Sequence, residues 1–349
     1  MNRLKNSRYT LFIGIDVSKL TLDVAILKCD SFVQHYQIGN NTTAIITLLE
    51  ELKSKHKMVL SKAVFGMEHT GIYCMPILDV LLKRTANIVL QDAGHLKKSM
   101  GTIRGKDDKS DALRIAAYLI KNRDHLVLLN AKRKVLDDLG RLSTLRDRMV
   151  SVRHALSVPL KEEKRFNPGA FSETLNSICA DSLTALENDL KKLEIHVESI
   201  WKNDERLNKL MNLITSVPGV GPITAIRILV STNEFITINN PRKFACYCGV
   251  APFNYSSGTS IKGRTKTSKI ANRKLKSLIH ICAVSAKRFV PEISTYYERK
   301  TAEGKHKMSV MNAIRFKIIG RIFSCVNRSE PYRENYVPAN LKTIKNTIT

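Results

Sequence analysis

Residues 11–27, LFIGIDVSKLTLDVAIL, set Asp16 in an otherwise apolar strand-length run. Leu11, Phe12, Ile13, Ile15 and Val17 form a continuous apolar segment of strand length. Leu22, Val24, Ile26 and Leu27 follow across a short Ser-Lys-Leu link, so the stretch predicts a buried β-hairpin. An ionised carboxylate left unpaired in such a strand is costly, which places Asp16 where a cation can meet it. For a lone aspartate two readings fit: a metal ligand, or a residue that ends the strand and caps the turn. Three more carboxylates in comparable settings downstream favour the ligand.

The rest of the N-terminal region alternates strands and helices. Phe32 to Ile38 supplies a third strand, Thr43 to Lys53 carries a helical apolar stripe, and Ala63 to Met67 is a short buried strand ending at Glu68. Gly71 breaks the chain. Ile72, Met75, Leu78, Leu81 and Leu82 then recur at helical spacing, with Pro76 in the first turn, and Asn87 to Leu90 makes a further strand. A hairpin followed by crossovers is a mixed α/β layout. Residues 105–119, GKDDKSDALRIAAYL, open another helix on acids. Asp108 and Asp111 are three apart and share one face. Capping and dipole compensation explain acids at a helix start equally well. Four carboxylates at strand ends and a helix start, however, are the hard oxygen ligands that two Mg²⁺ ions roughly 4 Å apart require.

Charge bounds the partner. The 349 residues carry 57 Lys and Arg against 31 Asp and Glu, a net +26 with 43% hydrophobic content, long enough for two or three domains. A polyanion is the partner this implies. No apolar run approaches the ~18 residues a membrane span needs, and Asp16, Lys19 and Asp23 break the one run that might be taken for a signal peptide. Seven scattered cysteines suit a reducing cytoplasm better than a disulfide framework. Cys246 and Cys248, a lone CxC, read as helix packing. The charge is uneven: +7 over residues 1–130, +2 over 131–210 and +17 over 211–349, with no acid between Glu234 and Glu292. The domain reading follows that division: 1–130, a helical linker at 131–210, a basic domain at 211–330 and an irregular tail at 331–349.

In the linker, Leu136, Leu139, Leu142, Leu145, Met149, Val152 and Leu156 line one helix face, and Leu183, Leu186, Leu190, Leu193, Val197 and Ile200 repeat at 3,4 spacing. Such a seam wants a partner helix, in a second subunit or in the same chain across a break at Pro159, Pro168 and Gly169. The basic domain opens on SVPGVGPITA, residues 216–225. Gly219 and Gly221 between two apolar helices fit a helix-hairpin-helix, whose backbone N–H groups meet a phosphate without reading sequence, or else a packing turn. Asn240 and Pro241 start a short helix. A loop at 250–258, VAPFNYSSG, follows and leads into Lys262, Arg264, Lys266, Lys269 and Arg273, the residues expected to touch nucleic acid. Helices are predicted from Ser268 to Phe289 and from about Ser309 to Val326. Among the hydroxyls Tyr255, Ser256 and Ser257, tyrosine ionises most easily, and a serine needs activation.

Taken together, FIGIDVSK with Asp16, GMEHTGIY with Glu68, GKDDKSDALRIA with Asp108 and Asp111, SVPGVGPITAIRIL and GVAPFNYSSG resemble the DEDD transposases of insertion sequences, over about residues 11 to 290. The resemblance implies a RuvC-like domain of ribonuclease H fold, a coiled-coil insertion that helps assemble subunits, and a mostly helical serine transposase domain with a helix-hairpin-helix. It also implies a catalytic serine just before Gly258, hence Ser257, and guidance by a bridge RNA. Asp107 stands where the family commonly has an uncharged residue; spacing to the Asp before Ala112 favours Asp108 as the ligand, with Asp107 as the alternative.

The expected protein is therefore a homo-oligomeric recombinase acting on element ends and target DNA. Ser257 attacks a phosphodiester, with Ser256 second and Tyr255 third as candidates. Asp16, Glu68, Asp108 and Asp111 hold Mg²⁺, and the basic residues stabilise the phosphorane. Two alternatives are a hydrolytic or junction-resolving nuclease in which water attacks, and a catalytically silent nucleic-acid-binding protein.

Overall fold

A computed structural model of the chain describes residues 9–28, 31–91, 94, 107–257 and 261–334. The chain divides into two compact units, Met1–Ala131 and Lys132–Thr349.

The first unit is built on a five-stranded sheet of β1 (Leu11–Val17), β2 (Thr21–Lys28), β3 (Ser31–Gly39), β4 (Ala63–Glu68) and β5 (Asn87–Gln91), in the order β3-β2-β1-β4-β5. β1, β2 and β3 form an antiparallel meander, while β4 lies parallel to β1 and β5 parallel to β4. Strand alternation divides the side chains between two layers. Ile13, Ile15, Val17, Leu22, Val24, Phe65 and Met67 pack with Ile45, Leu48 and Leu49 of α1 (Thr42–His56) and Ile77 and Leu81 of α2 (Met75–Lys83). On the opposite face Phe12, Leu27, Val64 and Val89 meet Ile115, Ala116 and Leu119 of α3 (Asp108–Lys121). This strand order, with a meander first and parallel strands after, is that of the ribonuclease H fold. α2 starts at Met75 rather than Ile72, because a 3-10 turn over Gly71–Cys74 precedes it and Gly71 has φ +71°.

The second unit opens on two long helices, α4 (Lys134–Phe166) and α5 (Ala170–Lys202), packed antiparallel. Arg146 Nε donates to Glu194 Oε1 at 2.8 Å across the pair, and Arg153 lies 3.9 Å from Glu187. The apolar seam thus finds its partner within the chain. It is buried near the base, at Leu136, Leu139, Leu190, Leu193 and Val197, and opens outward, where Leu145 and Val152 are exposed. The break falls at Asn167–Gly169 alone. α4 runs through Pro159, whose lost hydrogen bond costs about 3 kcal/mol, a local penalty that the long packed helix offsets.

Beyond the hairpin, α6 (Glu205–Thr215), α7 (Pro222–Thr232), α8 (Pro241–Tyr247), α9 (Arg273–Phe289), α10 (Pro291–Ala302) and α11 (Lys307–Arg328) enclose one core. Ile314, Ile318, Ile319, Ile322 and Phe323 of α11 lie at its centre, and Phe323 meets Phe235 edge to face at 4.9 Å. Three expectations change here. α9 begins at Arg273, where Asn272 Oδ1 accepts from Leu275 N, and not at Ser268. The polar helix α10 carries too weak an apolar stripe to be foreseen. Most of the predicted loop is a strand: β6 (Pro252–Ser257) pairs antiparallel with β7 (Ile261–Thr267), because Phe253 and Tyr255 alternate with small polar residues at strand spacing. Cys248 is buried but Cys246 is exposed, so only one of the CxC thiols packs. No helix of the described residues is long and apolar enough to cross a membrane. The tail beyond residue 334 lies outside the described residues.

Candidate active site

Asp16 and Glu68 sit at the ends of neighbouring parallel strands, one step past the Ile15–Met67 register pair. By alternation they share a face with Phe12, Gly14, Val64 and Gly66, the face that α3 covers. Two glycines let that helix settle onto the sheet. A Cβ on Gly14 would stand 2.2 Å from the Ala112 carbonyl oxygen and 2.3 Å from Ala116 N, and one on Gly66 would strike Leu119 at 2.8 Å. Seating α3 at Ala112 brings its first turn, one turn earlier, over the strand ends. Asp107 is the N-cap: its carboxylate accepts from Ser110 N at 3.2 Å and Ser110 Oγ at 3.0 Å. Asp108 and Asp111 follow in the helix proper, and Asp111 accepts from Arg114 Nη1 at 2.6 Å.

Electrostatics ties the four together. Burial, then the like charges of Asp108, Asp111, Glu68 and Asp23, push the Asp16 carboxyl up to about 6. Asp23 was not singled out by sequence reasoning. It lies directly opposite Asp16 in the β1–β2 register, is 3% exposed, stands 2.9 Å from His35 Nε2 and accepts from Gln37 Nε2 at 3.4 Å. Folding the predicted hairpin about its link would have revealed it. The donor set is wholly carboxylate oxygen, which suits a hard divalent cation, and the crowding that raises Asp16 is what a cation relieves. Among the described residues no three of these side chains close into a ready-made cage.

The remaining predicted residues belong to the second unit. Gly219, at φ +87°, is enclosed by α9: a Cβ there would meet the Cys282 carbonyl oxygen at 2.8 Å. Gly221 has open space and is the N-cap of α7, with Pro222 next. Of the two glycines, Gly219 is packed against α9 and Gly221 faces open space. In the β-ribbon, Ser256 pairs with Lys262 and Ser257 with Ile261. Gly258, and the side chains of Tyr255, Ser257, Lys262 and Arg264, lie outside the described residues. Lys266, Lys269 and Arg273 are exposed.

The ribbon is held at its base. Asn312 Nδ2 donates to the Val250 carbonyl at 2.7 Å, and Lys276 Nζ to Thr267 Oγ1 at 3.2 Å. Arg315, 6% exposed, lies beside Asn312, and its Nη2 is 2.7 Å from His280 Nδ1. Burial and the Arg315 charge hold His280 below the usual imidazole range.

A ribonuclease H sheet with carboxylates converging on one strand end, joined to a basic helical unit, defines a nucleic-acid-processing enzyme of the phosphoryl-transfer class. Two family models match. A DEDD transposase model of IS110 type covers residues 13–162, and one described as "Transposase IS116/IS110/IS902 family" covers residues 211–298. A pilin gene-inverting protein of Moraxella bovis is 22% identical over 92% of this chain and 97% of its own. An IS110 insertion-element protein of Streptomyces coelicolor is 30% identical over 47% of this chain and 39% of its own. T. thermophilus RuvC, solved with a Holliday junction substrate, aligns over 35% of this chain and 100% of that one at 10% identity and a TM-score of 0.27. The chain belongs to the IS110 family of DEDD transposases and is a DNA transposase/recombinase.

Proposed function

We propose that this transposase cuts and rejoins DNA through a covalent link to Ser257, with Asp16, Glu68, Asp108 and Asp111 holding two Mg²⁺ ions. The observation that carries the metal site is the raised Asp16 carboxyl, crowded by the other three. Bound Mg²⁺ supplies positive charge that polarises the attacked phosphate. The serine oxygen forms a bond to phosphorus and its proton passes to solvent. The bond to the departing strand breaks, and that strand's oxygen takes up a proton. Attack by a hydroxyl of the new strand on the phosphoserine restores Ser257 and seals the joint. Lys262, Arg264, Lys266 and Lys269 supply charge for the phosphorane, and Gly221 with the first turn of α7 acts as a sequence-independent backbone contact, a helix-hairpin-helix.

Carboxylates and serine lie in different units, which suits a homo-oligomer with composite sites. The exposed Val152, Phe171 and Ile178 on the helical hairpin support such assembly. Target choice by a bridge RNA follows from the family resemblance, and a region of net +17 can hold RNA as well as DNA. Residues 1–130, 131–210 and 211–330 are the corresponding functional divisions, and the bacterial cytoplasm is the setting.

The test is adduct mapping. Labelled DNA, Mg²⁺ and wild-type protein should yield, after denaturation, a DNA-linked peptide within residues 250–262, absent in Ser257→Ala. An adduct that survives in Ser257→Ala moves the role to Ser256, and one on Tyr255 overturns the serine mechanism. Mg²⁺-dependent cleavage without any adduct makes the protein a hydrolytic nuclease, and binding without cleavage makes it a silent binder.

A further inference from the structure

A cavity of about 230 Å³ opens between α10, α11 and the segment that follows α11. Three arginines line it: Arg321 and Arg328, seven residues apart on α11, and Arg333. One carboxylate, Glu292, also lines it and is already taken by Arg321 Nη2 at 2.6 Å. The Arg321 guanidinium is steadied over the Tyr332 ring at 5.1 Å. Arg333 is mostly exposed, with Glu330 only at 3.9 Å. Guanidinium groups in excess of carboxylates around a polar hollow select a phosphate, which accepts their fork of donors.

Position decides which phosphate. Tyr332 N donates to Ser216 Oγ at 2.8 Å, so the wall of the cavity is fastened to the residue that opens the 216–222 turn. The cavity therefore lies beside Ser216, the first residue of the glycine turn. We propose that the Arg321, Arg328 and Arg333 cavity binds a backbone phosphate of the DNA, as a second non-specific contact beside the turn. This extends the reading of Gly221 as a backbone contact, and separate variants distinguish the two.

The experiment is fluorescence anisotropy of the full chain with a labelled DNA duplex over a NaCl series, with single-stranded RNA as a second arm. Each lost phosphate contact lowers the slope of log K against log salt by about 0.9 for duplex DNA. Arg328→Gln and Arg333→Gln together should remove that one contact, lower the slope by about 0.9 and weaken binding several-fold, at unchanged Tm for Arg333→Gln alone. Glu292→Gln, which removes the opposing carboxylate, should tighten binding. Should Arg328→Gln destabilise the fold, Arg333→Gln and Glu292→Gln still carry the test, and they must move affinity in opposite directions. An unchanged slope in Arg333→Gln with no gain in Glu292→Gln overturns the site, as does a loss confined to the RNA arm. If Gly221→Val leaves DNA binding unchanged while Arg333→Gln weakens it, the turn reading fails and the cavity stands.

Discussion

Gly14 lies so close beneath Ala112 that a Cβ on it would stand 2.2 Å from the Ala112 carbonyl oxygen. The obstacle is helix backbone, which cannot step aside as a flexible side chain can. Gly14→Ala must therefore lift α3 from the sheet, at a cost of about 3 kcal/mol or more. Because α3 carries Asp108 and Asp111, the same shift draws the acids away from Asp16. Urea unfolding should show the loss of stability, and DNA cleavage should fall further than Tm alone explains. A Gly14→Ala protein as stable and active as wild type would show that α3 does not seat the carboxylates.

Asp16 supplies a second test. Its carboxyl is raised from 3.8 to about 6 in the fold, so between those values the folded protein holds a proton that the unfolded chain has released. Metal-free stability must then fall as pH rises from about 4 to about 6, and stay lowered above that window. Asp16→Asn removes the charge. In EDTA at pH 7.5 it should melt higher than wild type, and Mg²⁺, which should raise the wild-type Tm, should raise its Tm little. A lower metal-free Tm for Asp16→Asn would contradict the crowding of the four acids.

Much of this was legible in the sequence for identifiable reasons. Asp16, Glu68, Asp108 and Asp111 stand out because each ends or starts an element in an apolar setting, and period-2 and period-3.6 patterns mark those elements. What escaped depends on distant partners. Gly14 reads as an ordinary strand glycine until α3 is docked on it, and Asp23 becomes a neighbour of Asp16 only when the hairpin register is fixed. The ribbon at 252–267 escaped because Pro252, Gly258 and Gly263 carry turn chemistry that local rules assign to a loop. Pro159 misled in the other direction, since tertiary packing overrode a local breaker.

His280 makes the basic unit sensitive to acid. Its ring is held below the usual imidazole range by burial and by Arg315, so on acidification the unfolded chain takes up the proton first. Stability should be full above about pH 6.5 and be lost progressively as pH falls from there towards the lowered value of the folded state. His280→Gln can still accept from Arg315 yet cannot charge, so the difference in Tm between it and wild type should grow in its favour from pH 7 to pH 5. A pH-independent difference would mean that His280 does not titrate against Arg315. Cleavage by wild type should weaken over the same interval, because Arg315 borders Asn312, which holds the ribbon at Val250.

At the base of the helical hairpin, Arg133 precedes α4 and Asp204 follows α5, and the two are joined by a paired hydrogen bond of 2.7 and 3.0 Å. Arg133 also donates to Glu234, whose side chain is 1% exposed and which takes a further contact from Arg206 Nε at 3.1 Å. Asn233, Glu234 and Phe235 all have positive φ, a strained turn that this ionic clasp holds in place. Removing Arg133 leaves the buried Glu234 carboxylate with only the largely exposed Arg206, a loss of at most the roughly 3 to 5 kcal/mol of a buried pair that loses its partner. Arg133→Ala should thus unfold at distinctly lower urea. Adding Glu234→Gln, which removes the stranded charge, should restore part of the loss, and a double mutant that is simply additive would show that the two residues are not coupled.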